Sequence, residues 1–300
     1  MLGGKEMRGD FGSLLTAVVT PFDQDLTVNY FEFRELLRTL VENGSDGVVV
    51  SGTTGESPTL SREEKLRLFE VALEEIGDQA KVIAGTCNYN TKESILLSKE
   101  AEELGVHGIL AVAPYYNKPP QEGLYQHFRA IAEAVNIPVM IYNIPSRTGV
   151  NIEPETIARL AESPNIIALK EAAGSTDQIS RIKALVPSDF YLYSGDDFMT
   201  LPLLALGGVG VVSVASHLVG KDIKKMIKLF NEGKNKEALK IHLELYPLFK
   251  ALFISTNPIP VKAALNLVGW RVGGVRPPLS SLEEEKEEKL KLVLEKLHLI

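Results

Sequence analysis

The stretch Ile166-Ile167-Ala168-Leu169-Lys170-Glu171-Ala172-Ala173 places one lysine inside an apolar run that is typical of a buried β-strand. Side chains of a strand alternate between its two faces, so Ala168, Lys170 and Ala172 are predicted to share one side, with Glu171 on the other. A lysine buried there loses hydration, which favours the neutral amine, and a neutral amine attacks carbonyl groups to form a Schiff base. The stretch alone favours a different interpretation, a lysine at a strand end with its charge in water or beside a carboxylate, because most lysines are solvated; the rest of the chain reverses this preference.

Seven other short apolar runs accompany this one, spaced by roughly the length of a βα unit. The eight predicted strands are Leu14–Val19, Gly47–Val50, Lys81–Ala84, Gly108–Ala113, Pro138–Tyr142, Ile166–Lys170, Phe190–Tyr193 and Val209–Val214. Nearly every position in these runs is apolar, which indicates parallel strands covered on both faces. Helical periodicity lies between them, as in the stripe of Phe33, Leu36, Leu37, Leu40 and Val41. The sequence therefore predicts an α/β fold, a (β/α)8 TIM barrel; a doubly wound sheet is the alternative, but it usually has fewer strands.

The sequence also predicts where helices begin and end, and it divides the chain into two regions. Glycines 44, 105 and 207 follow helical segments, where a left-handed residue commonly ends a helix. Capping boxes are predicted for Ser61 with Glu64, Ser175 with Gln178, and Ser281 with Glu284. Beyond Gly233 only helices are predicted, at Lys236–Phe253, Pro260–Leu267 and Leu282–Leu297. We predict a barrel catalytic domain over residues 1–232 and a C-terminal helical appendage over residues 233–300, packed on the barrel.

Composition narrows the class of protein. The 300 residues are 45% apolar, and the single cysteine, Cys87, excludes an intramolecular disulfide and is predicted to pack rather than react. The net charge of −7, without a basic stripe, argues against a nucleic-acid partner. No apolar run is long enough to cross a bilayer, and Met1–Glu6 lacks the apolar core of a signal peptide. We expect a cytoplasmic protein without a membrane partner.

The residues after each strand carry the predicted chemistry, because barrel enzymes place reactive groups at the carboxyl ends of their strands. Strand two ends in Ser51-Gly52-Thr53-Thr54-Gly55-Glu56-Ser57, which suits a small carboxylate or phosphate, or is an ordinary turn. Strand five ends at Tyr142, and Arg147 lies in the loop that follows it. We predict that Tyr142 faces the lumen with Met140 and relays protons. The Arg147 guanidinium suits a carboxylate, or forms a surface ion pair.

Three other strand ends allow less specific predictions. The loop Pro114-Tyr115-Tyr116-Asn117-Lys118-Pro119-Pro120 places two aromatic residues near the barrel mouth, or in surface packing or a subunit contact. Asp196 or Asp197 is predicted to cap the next helix rather than bind a metal, since no ligand-spaced histidine cluster accompanies them. Gly207-Gly208, near strand eight, raises the alternative of a phosphate-binding barrel enzyme. No nucleotide-binding glycine motif is present, so no cofactor is expected.

Six segments, in order and spread over nearly the whole chain, resemble the dihydrodipicolinate synthase family. They are Gly52-Thr53-Thr54-Gly55-Glu56, Pro114–Pro119, Tyr142–Gly149, Leu169-Lys170-Glu171, Ser194-Gly195-Asp196-Asp197 and Thr256–Lys262. The resemblance implies condensation of pyruvate with L-aspartate 4-semialdehyde to 4-hydroxy-tetrahydrodipicolinate, an early step towards diaminopimelate and lysine, without a cofactor or metal. It also implies a homotetramer, a dimer of dimers.

The same resemblance implies a role for each matched residue. Lys170 forms the Schiff base with pyruvate, while Thr54 and the backbone around Val212 hold the pyruvate carboxylate. A proton relay consists of Tyr142, Thr53 and Tyr116, the last reaching across from a neighbouring subunit. Arg147 binds the carboxylate of aspartate semialdehyde, and Gly195 lines the pocket where a side chain would block it.

The sequence leaves other activities open. It also departs from the family pattern in two places. N-acetylneuraminate lyases and 2-keto-3-deoxy sugar-acid aldolases share the lysine and tyrosine, but related lyases tend to lack an arginine matching Arg147. A barrel that only binds a small acid would be expected to have lost relay residues, and none is lost here. Arg62 and Lys65 stand where lysine-inhibited members carry histidines, so weak or no inhibition by lysine is expected. His217 replaces a more usual asparagine, and we predict a packing role for it.

Overall fold

Eight parallel strands form a closed barrel in the structure, a computed structural model that describes residues 10–300. The prediction about Met1–Glu6 lies outside the described residues. The strands are β1 Leu14–Ala17, β2 Gly47–Val50, β3 Lys81–Gly85, β4 Gly108–Val112, β5 Val139–Asn143, β6 Ile166–Glu171, β7 Tyr191–Ser194 and β8 Gly210–Ser213. Each strand pairs with its sequence neighbours, and β1 pairs with β8 to close the ring. The predicted (β/α)8 barrel is confirmed, and the doubly wound sheet is excluded.

Helices connect the strands and surround the barrel. They are α1 Tyr30–Glu42, α2 Arg62–Ile76, α3 Thr91–Leu104, α4 Gln121–Glu133, α5 Pro145–Thr148, α6 Pro154–Leu160, α7 Thr176–Leu185, α8 Thr200–Ala205, α9 Ser216–Asn231, α10 Asn235–Ala251, α11 Ile259–Leu267 and α12 Glu284–Lys296. The predicted stripe on α1 buries Phe33, Leu36, Leu37 and Leu40, so amphipathic periodicity located this helix correctly. Within the described residues 10–300, no helix is both long and apolar enough to cross a membrane.

The predicted helix boundaries mostly hold. Ser61 and Glu64 form a complete capping box at the start of α2, and the Ser175 hydroxyl accepts a hydrogen bond from the backbone N–H of Gln178 at the start of α7. Glycines 44, 105 and 207 all have positive φ. The prediction for Ser281 is wrong, because α12 begins at Glu284 and Glu283 occupies the cap position without a side-chain bond. The sequence therefore predicts the N-cap of this helix two residues too early.

Two apolar layers separate the barrel lumen from the surrounding helices. The lumen is filled by inward side chains, among them Leu15, Val49, Ile83, Leu110, Met140, Ala168, Tyr193 and Val212. The alternate strand residues, such as Val48, Val82, Ile141 and Leu169, pack outward against the helices. Both sets are almost completely buried, as expected of a parallel sheet whose two faces are covered.

The helices after β8 pack on the barrel through α9 and through one buried ion pair. Helix α10 packs on α9, and α12 packs on both α10 and α11. The Lys262 ammonium of α11 lies 2.8 Å from a carboxylate oxygen of Glu56, in the loop after β2, and both side chains are only 1% exposed. The second carboxylate oxygen of Glu56 accepts the backbone N–H of Arg276 at 2.9 Å. The C-terminal helices are thus fastened to the loop that carries Thr53 and Thr54.

Candidate active site

Lys170 projects from β6 into the lumen, where Tyr142 of the neighbouring strand β5 covers it. The two residues are register partners, and the Lys170 Nζ lies 4.1 Å from the centroid of the Tyr142 ring. Lys170 is only 5% exposed. Burial lowers its pKa from 10.5 to about 8, against the opposing charges of Asp196 and Asp197. The predicted face of Ala168, Lys170 and Ala172 is confirmed, and the amine is buried rather than solvated.

Tyr142 presents a neutral phenol to this amine. Burial is the largest influence and raises its pKa, while the guanidinium of Arg147 and a side-chain hydrogen bond with Thr53 oppose the rise. A phenol in this state both donates and accepts a hydrogen bond, so it can pass a proton without ionising. Tyr142 and Thr53 therefore form a hydroxyl pair beside Lys170.

A cavity of about 200 Å³ opens beside the hydroxyl pair. Thr53, Tyr142 and Arg147 line it, together with Tyr115, Cys87 and the small residues Gly52 and Gly85. Lys170, Thr54, Gly195 and Val212 are not among its lining residues, but Tyr142, which does line it, contacts Lys170. The structure thus brings three of the eight predicted site residues onto one cavity wall, and Lys170 contacts one of these three, Tyr142.

Asn257 connects two predicted carboxylate-binding residues, and sequence reasoning assigned it no role. Its Nδ2 donates to the Thr54 hydroxyl at 2.9 Å, and its backbone oxygen accepts from the Arg147 guanidinium at 3.0 Å. Its Oδ1 has no hydrogen-bond partner within residues 10–300. The sequence offered only one signal, the Thr256–Lys262 segment, which lies more than a hundred residues from Arg147 in the chain.

Asp197, one of the two residues predicted to cap the following helical turn, has a different role. Its carboxylate accepts from the Ser213 hydroxyl and from the backbone N–H groups of Val214 and Ala215, at 3.1 and 3.0 Å. Asp196 occupies the cap position without a side-chain bond, and burial raises its pKa to about 6. Asp197 instead fixes the backbone just after Val212 on β8. Within the described part of the chain, no group of three or more histidine, cysteine, aspartate or glutamate side chains could hold a metal ion.

Gly195 directly follows the last pair of the β6–β7 ladder, Glu171 with Ser194. Its N–H donates to the Glu171 backbone oxygen at 2.8 Å. A Cβ at this position would lie 2.6 Å from the Ala172 Cβ and 3.3 Å from the Lys170 Cε. Any side chain larger than hydrogen would therefore displace the segment that carries Lys170.

Tyr116 lies apart from the other predicted residues. It is 92% exposed and has a left-handed backbone, with φ of 70°. Its neighbour Tyr115 lines the cavity instead and contacts the Tyr89 ring edge-on, with a centroid distance of 5.1 Å. In a single chain, Tyr116 makes no part of the site.

Three lesser predictions also have outcomes. Gly207-Gly208 precedes β8 and ends α8, so the pair lies at the amino end of the strand and away from the site; the phosphate-binding hypothesis was based on the wrong end of the barrel. His217 is buried, donating to the Val214 carbonyl at 2.8 Å through Nδ1 and accepting the Val19 N–H at 3.2 Å, a packing role as predicted. Burial raises the pKa of the Cys87 thiol to about 11, which makes it a poor nucleophile.

The comparisons with known proteins all point to the same family. Residues 10–297 match the Dihydrodipicolinate synthetase family. The chain is 57% identical over 292 residues to 4-hydroxy-tetrahydrodipicolinate synthase of Desulforamulus reducens, covering 97% of this chain and 99% of that protein. It is 56% identical over 294 residues to the synthase of Desulforudis audaxviator, covering 98% of this chain and all of the other. The crystal structure of DHDPS from Cyanidioschyzon merolae with lysine bound has a TM-score of 0.95 and 49% identity, covering 97% and 99% of the two chains.

Proposed function

Because the chain belongs to the dihydrodipicolinate synthetase family, we propose that it condenses pyruvate with L-aspartate 4-semialdehyde through a Schiff base on Lys170. The product is 4-hydroxy-tetrahydrodipicolinate, and the enzyme is a pyruvate-dependent lyase of diaminopimelate and lysine biosynthesis, as its curated relatives are. The observation that carries the role of Lys170 is its buried amine, whose pKa falls to about 8, next to Tyr142. At pH 7, about a tenth of such an amine is neutral, against roughly one part in three thousand at its ordinary pKa.

The reaction begins when the neutral Lys170 amine attacks the keto carbon of pyruvate. A carbinolamine forms and loses water, leaving an iminium whose positive charge draws electrons from the adjacent methyl group. Loss of a methyl proton gives an enamine, and its carbon attacks the aldehyde carbon of the second substrate. The amino group of that substrate then displaces Lys170 from the imine carbon, closing the ring and freeing the enzyme.

Proton transfer in each step is assigned to Tyr142 and Thr53. Their mutual hydrogen bond supports this role, because a pair of neutral hydroxyls can accept a proton at one end and release it at the other. We propose that Tyr116 of a neighbouring subunit completes the relay. Its 92% exposure supports this proposal, since a tyrosine presented so fully to solvent is available to a second copy. The homotetramer follows as part of the same proposal.

Two carboxylates are to be bound at opposite ends of the reacting atoms. We assign the pyruvate carboxylate to the Thr54 hydroxyl and the backbone around Val212. The carboxylate of aspartate semialdehyde is assigned to Arg147, whose exposed guanidinium lines the cavity. Support comes from Asn257, which holds both Thr54 and Arg147 and so fixes the separation of the two binding groups. Gly195 keeps the space beside Lys170 open.

Other features of the proposal follow from this chemistry. The protonated imine itself withdraws electrons, so the proposed reaction requires no cofactor. We propose residues 1–232 as the catalytic barrel and residues 233–300 as the helical region that supports it. The cytoplasmic location stays a prediction.

Borohydride reduction in the presence of pyruvate tests the role of Lys170. Reduction of the imine would fix pyruvate to the protein, and mass mapping is expected to locate it on the peptide that contains Lys170. A Lys170→Arg variant should remain folded and unlabelled. Coupled assays with aspartate semialdehyde, N-acetylneuraminate and 2-keto-3-deoxy sugar acids would separate the proposed reaction from its alternatives. Absence of label at Lys170 would refute the mechanism.

A further inference from the structure

An extra residue in β6 determines that Lys170 faces the lumen. Val139 of β5 pairs with Ile166, but the next residue, Met140, pairs with Ala168, so Ile167 has no partner in the ladder. Ile166 packs outward, whereas both Ile167 and Ala168 face the lumen. Strict alternation from Ile166 would turn position 170 outward. This β-bulge shifts the alternation by one, as bulges near active sites commonly do.

Beyond the bulge, a side-chain contact between β5 and β6 fixes the register of the two strands. Directly after the Tyr142 and Lys170 pair, Asn143 pairs with Glu171, and these two side chains lie on the opposite face of the sheet. The Asn143 Nδ2 lies 3.1 Å from each carboxylate oxygen of Glu171. Both strands end at this pair. The contact therefore fastens β5 to β6 at the point nearest the reacting groups.

The Glu171 carboxylate is saturated with donors. One oxygen also accepts the Ala173 N–H at 2.6 Å, and the other accepts the Gln178 Nε2 at 3.0 Å. Asn151 accepts from both Asn143 and Gln178, at 2.9 and 3.1 Å, which closes the cluster. Burial raises the pKa of Glu171, and the hydrogen bonds from Asn143, Ala173 and Gln178 oppose that rise. No charged partner faces this carboxylate among these contacts, so its position depends on amide and backbone donors.

We infer that Asn143 and Glu171 are positioning residues for the reaction, holding Lys170 and Tyr142 in register after the bulge. The inference rests on the proposed function of Lys170. Neither side chain touches the lumen, because both lie behind the strands. They act by fixing the approach of the amine to the phenol, and misplacement of reacting groups by about 1 Å can lower a rate by about 10²-fold.

Glu171→Gln tests the inference with little change in shape. Since each carboxylate oxygen accepts from two donors, an amide nitrogen in either place must face another donor. We expect kcat to fall by about 10- to 100-fold, while the KM for pyruvate changes by less than about threefold. The rate at which the borohydride-trapped adduct forms at saturating pyruvate should fall with kcat. The wild-type enzyme is labelled in parallel: an unlabelled wild type would refute the proposed function, and the inference with it, whereas a labelled wild type beside a folded Glu171→Gln enzyme of unchanged kcat would overturn the inference alone.

A matched control separates positioning from loss of stability. Asp46 is another carboxylate held by several donors, but at the amino end of the barrel: it accepts from the backbone N–H groups of Ser13 and Leu14, at 2.7 and 3.0 Å, and pairs with the Lys224 ammonium. Asp46→Asn is expected to lower the melting temperature and leave kcat within about twofold, since it lies far from the reacting groups. If Glu171→Gln is also destabilised but retains wild-type kcat, the inference is wrong.

A milder variant decides the matter if Glu171→Gln does not fold. Gln178→Ala removes a single donor from the Glu171 carboxylate and leaves the Asn143 contact in place. We expect a several-fold fall in kcat at unchanged KM, smaller than for Glu171→Gln because one of four hydrogen bonds is lost. An unchanged kcat in a folded Gln178→Ala enzyme would overturn the inference.

Discussion

The ammonium nitrogen of Lys170 lies 4.1 Å from the centre of the Tyr142 ring, and the two residues are neighbours in register on adjacent strands. The ring packs against the amine, and burial lowers the pKa of Lys170 to about 8. The phenol hydroxyl, bonded to Thr53, is directed to the cavity wall. One aromatic side chain thus serves both the desolvation of the nucleophile and the transfer of its protons.

The rate of Schiff-base formation is expected to depend on pH with an apparent pKa near 8. Only the neutral amine attacks pyruvate, and the folded-state pKa of Lys170 is about 8. The rate should therefore rise about tenfold per pH unit below 8 and level off above it. Stopped-flow or quenched-flow trapping of the adduct would measure this profile. A rate that continues to rise to pH 10 would show that the amine has its ordinary pKa.

Tyr142→Phe should preserve the fold and slow turnover by about 10²- to 10⁴-fold, the range for a lost proton-transfer group. Tyr193→Phe is the matched control, since Tyr193 is also buried in the lumen but donates to the Gly12 carbonyl at 2.8 Å, at the amino end of the barrel. Steady-state assays and thermal unfolding of both variants provide the comparison. Equal kcat values for the two variants would remove Tyr142 from the relay.

Gly195→Ala should damage the site through a single methyl group. The new Cβ would lie 2.6 Å from the Ala172 Cβ and 3.3 Å from the Lys170 Cε, so β6 or β7 must shift. We expect kcat/KM for pyruvate to fall by at least about tenfold, because the shift moves the nucleophile. Gly274→Ala is the control, since its Cβ would meet no atom within 4 Å. Equal activity of both variants would show that Gly195 does not limit the pocket.

Mixed oligomers can show whether Tyr116 acts in a neighbouring subunit. Tyr116→Phe subunits and Lys170→Ala subunits are each expected to be nearly inactive alone. In a two-fold dimer containing one of each, one site regains both Lys170 and an intact Tyr116, so random mixing should restore about a quarter of wild-type activity. Co-expression with two affinity tags would isolate the mixed species. A mixed dimer no more active than its parents would place Tyr116 outside the partner's site.

Millimolar lysine is expected to inhibit the enzyme weakly or not at all. Arg62 forms an ion pair with Glu100 at the start of α2, and Lys65 lies half-buried one turn further on. Two cations in place of neutral histidines disfavour the approach of a lysine ammonium. Initial rates with and without lysine, together with Lys65→His as a variant expected to gain sensitivity, would test this. Strong inhibition of the wild-type enzyme would contradict the prediction.

The sequence carried enough information for the barrel, because apolar runs, capping residues and glycines each act locally. Lys170 was also identifiable, since a lone lysine in an apolar strand contradicts the usual preference for exposure. The bulge at Ile167 was not, because Ile166 and Ile167 are chemically alike and only the pairing with β5 distinguishes them. The contacts of Asn257 and Asp197 were missed for a related reason. Their partners, Thr54, Arg147 and Ser213, are brought to them by closure of the barrel.

The contact between Glu56 and Lys262 means that the helical region, residues 233–300, supports the loop of Thr53 and Thr54, although this region contributes no reacting group. Glu56 follows Thr53 and Thr54 in a tight turn with left-handed backbone, and within residues 10–300 Lys262 is the only cation that forms an ion pair with its carboxylate. While the segment from Asn257 to Arg276 is still inside the ribosome, the nascent barrel therefore has an unpaired buried carboxylic acid in the loop that carries Thr53 and Thr54. We expect a nascent chain to gain activity only once the segment that carries Lys262 and Arg276 has been synthesised and has folded onto the barrel.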